Sequence, residues 1–127
     1  SVDITIAAKE ALVKCENICN QINRKVFLLS LEELCLSGEY DVIEGEEIKY
    51  FENYHNRLCL LDGKPITWML RTPDNYAVSL NYVYTGENKL TAQNAFDSAG
   101  VRPAFCIDSS TKIVYEKYSG GERFVVK

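Results

Sequence analysis

The chain has 127 residues, of which 46 % are apolar and 25 % charged, with a net charge of −4. That is the size and make-up of one globular domain over residues 1–127, with no room for a second independent core. The acidic balance offers no basic field to a phosphate backbone, which argues against nucleic-acid binding, and no apolar run approaches the roughly 18–20 residues of a membrane span.

Ser1 to Glu10 carries Asp3, Lys9 and Glu10 and does not resemble a signal peptide, and a start at Ser is expected of a piece of a longer protein. Ala8, Leu12, Cys15, Ile18, Cys19 and Ile22 recur at helical spacing, so a first amphipathic helix is predicted over Ala7 to Ile22. Lys25 to Leu29 reads as a short strand. Ser30-Leu31-Glu32-Glu33 then fits a capping box, which predicts a short second helix ending near Gly38.

Residues Glu39 to Glu52 are acidic, and a further helix is predicted over Glu46 to Leu58 with Ile48, Phe51, His55 and Leu58 on its apolar side. The acids are read as a solvated face, since calcium loops place acids at fixed offsets around a Gly turn and this stretch does not. Asp62-Gly63-Lys64-Pro65 is a turn. Strands follow around Trp68 and from Tyr76 to Tyr84, where Val78, Leu80, Tyr82 and Tyr84 alternate with Ala77, Ser79 and Asn81. Thr85-Gly86-Glu87-Asn88 reads as a hairpin turn into Lys89 to Ala92. Further strands are predicted at Val101 to Ile107, Lys112 to Tyr118 and Arg123 to Val126, so the pattern is helix-rich first and strand-rich second, an α+β order.

Cys15, Cys19, Cys35, Cys59 and Cys106 are odd in number and each lies in an apolar run. They read as small core residues in a reducing compartment rather than a disulfide framework. His55 is the only histidine; with Cys59 it supplies two ligands, too few for a closed zinc site, and it reads as a partly buried helix residue. No phosphate-binding Gly loop, nucleophile elbow or Cys-x-x-Cys occurs, so neither a cofactor nor a catalytic residue is predicted.

Three ordered motifs carry a resemblance: Phe27-Leu28-Leu29-Ser30-Leu31-Glu32-Glu33, Trp68-Met69-Leu70-Arg71-Thr72-Pro73 and Gly100-Val101-Arg102-Pro103-Ala104-Phe105. Together they resemble a bacterial domain family of unknown function common in gut Firmicutes, over about Lys25 to Asp108. Met69 departs from a frequent second Trp and Thr72 from a Ser. That family in turn resembles the C-type-lectin-like fold of formylglycine-generating enzymes and retroelement-diversified variable proteins. The resemblance implies an α+β domain with two or three helices packed on a twisted antiparallel sheet. The calcium-dependent sugar motifs of true C-type lectins are absent, and only Cys106 lies where the formylglycine-generating enzymes place reactive cysteines.

Arg71 and Arg102 could clamp a carboxylate or phosphate in a bidentate way, or pin loops by donating to backbone carbonyls. The Pro and Trp residues around them favour pinning, with Trp68 packed alongside. Between the two motifs, Asn75, Tyr76, Ser79, Asn81, Tyr84, Asn88, Gln93 and Asn94 form the candidate recognition set, because Tyr gives contact area with few rotors and Ser and Asn give adaptable hydrogen bonds. In the diversified proteins of that fold, varied positions lie just before the closing motif. The expected function is therefore a non-catalytic binding or display module that recognises a protein or glycan through the loops of residues 74–99. The alternatives are a structural or assembly domain of a larger surface or phage protein, and an enzyme built around Arg71, Arg102 and the acidic segment.

Overall fold

A computed structural model describes residues 8–14, 21–36, 44–73, 80–94 and 97–126. The strands run in chain order β1 (Ala8–Lys9), β2 (Ala11–Lys14), β3 (Gln21–Arg24), β4 (Phe27–Leu28), β5 (Cys59–Leu61), β6 (Lys64–Ile66), β7 (Trp68–Pro73), β8 (Leu80–Tyr84), β9 (Leu90–Asn94), β10 (Pro103–Ala104), β11 (Cys106–Ile107), β12 (Ile113–Tyr118) and β13 (Gly121–Val126). Among the described residues two 3₁₀ helices, Lys49–Glu52 and Tyr54–Arg57, lie between β4 and β5. Among the described residues there is no α-helix.

This overturns the expected α+β, C-type-lectin-like architecture with two or three helices. The chain is mostly β, in small antiparallel sheets: the pairs β1–β11, β2–β3, β4–β10, β5–β6 and β12–β13, and the three-stranded sheet β7–β8–β9.

Each missing helix has a physical reason. The predicted Ala7–Ile22 helix is replaced by a pairing of β2 with β3, in which Val13 faces Ile22 and Leu12 faces Asn23. Leu12 is exposed and Val13 buried, so these residues follow a period of two, and cross-strand packing outweighs the helical spacing. Cys15 and Cys19 lie outside the described residues.

The capping box does form. The Ser30 amide donates to Glu33 Oε2 (3.0 Å) and the Glu33 amide donates to Ser30 Oγ (3.2 Å). One turn later Cys35 adopts a left-handed φ of 59°. The Leu36 amide then reaches the Leu31 carbonyl and the Cys35 amide the Glu32 carbonyl, the bond pair of a Schellman C-cap. The start and stop signals enclose a single turn, well short of Gly38.

The predicted Glu46–Leu58 helix breaks at Asn53, whose backbone is extended and whose side-chain oxygen accepts the His55 amide at 3.1 Å. An Asn side chain competing for backbone donors is a known helix breaker. Carbonyls needed for an α-ladder are taken by side chains instead: Asn56 donates to Tyr50 O and Arg57 Nε to Phe51 O. Of the expected apolar side only Phe51 is buried; His55 is exposed, its ring stacked on Tyr54 with centroids 4.0 Å apart.

The core cluster is Leu29, Leu31, Leu34, Phe51, Trp68, Leu70, Tyr82 and Tyr84, of which Leu29, Leu31, Trp68 and Leu70 come from the first two motifs. Strand β7 is interior. One side pairs with β8; on the other, Trp68 bridges Gly100, the Met69 amide donates to Gly100 O (2.9 Å), and the Arg71 amide donates to Leu29 O (3.0 Å). Among the described strands, β9 pairs with β8 alone and is the outer strand of its sheet.

Candidate functional site

Arg71 leaves β7 with its side chain 9 % exposed and its fork fully engaged. Nη1 donates to Leu28 O and Glu33 Oε2, each at 2.7 Å, and Nη2 donates to Glu33 Oε1 at 2.9 Å and to Glu44 O. The neighbouring residues extend the network. Thr72 Oγ1 donates to Glu44 Oε2 and accepts the Leu31 amide, Ser30 Oγ donates to Glu44 O, and the Glu44 amide donates to Glu32 Oε2. Glu44 and Thr72 are fully buried. Sequence reasoning assigned Glu44 to a solvated acidic face; the structure corrects this, because its carboxylate and carbonyl tie the first motif to the second.

Arg102 has a similar role at the other end. It lies over the Phe51 ring (5.2 Å) and the Trp68 ring (5.1 Å), and Nη1 donates to Asn56 O at 3.1 Å. Trp68 Nε1 donates to Arg57 O at 2.9 Å, so the second 3₁₀ helix is held by both motifs. A guanidinium between aromatic faces is stabilised by their quadrupoles. The Arg71 fork is spent on Glu33 and two backbone carbonyls rather than held open to a ligand.

Of the recognition set, Asn75, Tyr76 and Ser79 lie outside the described residues, and Asn81 is placed in β8 with no description of its side chain. Tyr84 is buried, its ring 6.3 Å from Trp68, and its hydroxyl donates to Asn88 Oδ1 at 2.6 Å. Tyr84 is therefore part of the core cluster. Asn88 has φ 66°, Gln93 Nε2 donates to Ser98 O, and Asn94 is exposed.

The Thr85 turn forms as predicted. The Asn88 amide donates to Thr85 O and the Thr85 amide to Lys89 O, a type I turn followed by a left-handed residue, as in three-residue hairpin loops with a G1 bulge. This turn meets the β5–β6 hairpin at Gly86, where an added Cβ would stand 2.9 Å from Pro65 O. Beside that contact opens a cleft of about 730 Å³, lined by Pro65 and Thr67 on one side and by Thr85, Glu87, Lys89, Leu90 and Thr91 on the other. Sequence reading recognised both turns but nothing local to either indicates that they face each other. Pro65, Thr67, Glu87, Lys89 and Thr91 were missed for that reason.

Cys35, Cys59 and Cys106 are free, and among the described residues no group of three or more metal-ligating side chains occurs. Burial, and then the Glu47 carboxylate, push the Cys35 thiol above its ordinary value. No helix among the described residues is long and apolar enough to cross a membrane.

A family model described as a domain of unknown function (DUF6273) matches residues 1–109. No curated protein and no solved structure matches.

Proposed function

We propose that this chain, which belongs to the DUF6273 family of domains of unknown function, is a non-catalytic ligand-binding module whose recognition surface is the cleft between the β5–β6 and β8–β9 hairpins. The observation that carries the reading is the cleft itself. Its volume of about 730 Å³ falls within the roughly 300–1,000 Å³ of ligand sites, and Thr67, Thr85 and Thr91 give it hydroxyls beside the apolar Pro65 and Leu90. One of its walls, Thr85 to Thr91, lies in the described part of the segment that the sequence marks for recognition, and two hairpins line it. A protein or a glycan is the class of ligand proposed. The idea that a retroelement diversifies this segment rested on the C-type-lectin-like fold and loses that footing.

The test is retention on peptide-display and glycan arrays by the wild-type chain and by Thr91→Trp, which fills the cleft from an exposed position. Loss of a retained ligand with an unchanged melting temperature supports the reading. Equal retention by both proteins, or no retention by either, rejects it.

A second reading, an assembly domain, is favoured by the β12–β13 hairpin. It lies beyond the family-matched stretch and exposes Ile113, Val114, Tyr115, Tyr118 and Phe124, the last at 74 %. An exposed apolar patch of this kind marks association surfaces.

A further inference from the structure

We infer that the outer edge of β9 takes an extended, uncharged peptide segment as an added strand, an inference that rests on the binding reading and names its class of ligand. The first ground is the phase of the hydrogen-bond ladder. The Thr85 amide bonds to Lys89 O at 2.8 Å, so Thr85 and Lys89 form a bonded pair. Antiparallel ladders alternate bonded and non-bonded pairs. With Tyr84 opposite Leu90, Val83 opposite Thr91, Tyr82 opposite Ala92 and Asn81 opposite Gln93, Thr91 and Gln93 bond to β8. The N–H and C=O groups of Leu90 and Ala92 therefore point outward, and among the described residues no bond reaches them.

The second ground is the lack of protection. Folded proteins blunt sheet edges with Pro, charge or bulges, because a bare row of donors and acceptors invites another strand. Of the described strands of four residues or more, only β8 and β9 contain neither Pro nor a charged residue. Strand β8 is interior, so β9 is the one long strand both outermost and undefended.

The third ground is the cleft at the start of β9. Leu90 and Thr91 form part of its wall, so a side chain of a strand added at Leu90 has space to enter it. At its rim Lys89 and Glu87 lie 3.7 Å apart, which leaves one charge of each sign and favours an uncharged side chain. Backbone bonding in this mode gives affinity, and pockets for alternate side chains give specificity. A second copy paired symmetrically about Ala92 fits less well, because it sets Leu90 against Asn94, whose carbonyl already accepts the Asp97 amide at 3.0 Å.

The test selects a phage-displayed library of random peptides on the wild-type chain, with a glycan array run in parallel. Enriched peptides are measured against Ala92→Pro, which removes an outward N–H that the ladder to β8 does not use. The same peptides are also made with single backbone N-methyl groups, a change that leaves the protein untouched. The expected result is a loss of about tenfold or more with Ala92→Pro, and the same loss at every second N-methyl position, as forfeiting one or two backbone bonds requires. Binding that survives at every N-methyl position, or equal binding to Ala92→Pro, overturns the added-strand inference while leaving a binding module. Retention of a glycan with no peptide enriched does the same. Failure to bind either class overturns both readings.

Discussion

Arg71 and Glu33 meet as two parallel forks, Nη1 to Oε2 at 2.7 Å and Nη2 to Oε1 at 2.9 Å, in a site where the two side chains are only 9 % and 13 % exposed. The same Glu33 oxygen closes the capping box through the Ser30 amide, so one carboxylate serves both the local turn and the long-range clasp. Removing one partner leaves the other buried without its counter-charge. Arg71→Ala is expected to lower unfolding stability by about 3–5 kcal/mol, the range for breaking a buried pair. Arg71→Lys recovers only part of this, since an ammonium cannot reproduce the fork. Urea titration of the two variants checks both statements.

Glycine positions offer a second, sterically distinct test. At Gly100 an added Cβ would stand 2.4 Å from Ile66 Cδ1 and 3.0 Å from Thr67 O, against the strand that the closing motif bridges. Gly100→Ala is expected to cost about 1–3 kcal/mol through overpacking. Gly63 has φ 76° and nothing within 4 Å of the added atom, so Gly63→Ala should cost only the backbone term, about 1 kcal/mol. Thermal melts of the two variants should separate these costs, and equal losses would contradict the close packing at Gly100.

Cys35 makes stability depend on alkaline pH. Burial, and then Glu47, raise its folded pKa, so the ionised thiolate is disfavoured in the native chain. Both states are protonated at low pH and the contribution is fully present there. As pH rises past the unfolded thiol's value of about 8.5, the unfolded chain ionises first and stability falls until the folded thiol ionises too. Chemical denaturation at several pH values from about 8 to 10 should show a steeper loss for wild type than for Cys35→Ser. Alkylation followed by mass spectrometry should find Cys35 slower than free cysteine at the same pH.

The β12–β13 hairpin gives a fourth prediction. Tyr115 faces Phe124 across the pair with ring centroids 5.6 Å apart, and Phe124 is largely in solvent. Phe124→Ser should therefore change unfolding stability by no more than about 1 kcal/mol, the scale of one cross-strand pair. If the hairpin is an assembly surface, the same variant abolishes concentration-dependent association in sedimentation runs; unchanged association would reject that reading.

What was legible in the sequence was local chemistry. Ser30 and Glu33 announced their reciprocal bonds, Thr85 to Asn88 their turn, and Pro103 and Ala104 a strand. Sequence reading places Tyr84 in the recognition set, whereas the structure buries it together with Tyr82 and Val83. The helices were misread because spacing gives no warning of competition. Ala11 to Val13 satisfies helical and strand periods together, and only the pairing with Ile22 and Asn23 selects between them. Asn53 and Cys35 then end their turns through a side-chain acceptor and a left-handed backbone. Glu44 and the cleft were hidden for a tertiary reason: each depends on residues far apart in sequence meeting at one place.

The pairing of Phe27 with Ala104 and of Ala8 with Ile107 has a consequence for how this chain is made. A ribosome releases residues 8 and 27 long before their partners, so the leading segments emerge with their edges open and their apolar side chains uncovered. Loop closure over such distances is slow relative to helix formation. The leading strands therefore wait for the closing motif, and a chain truncated before Gly100 is expected to leave β1 and β4 without the partners they have here.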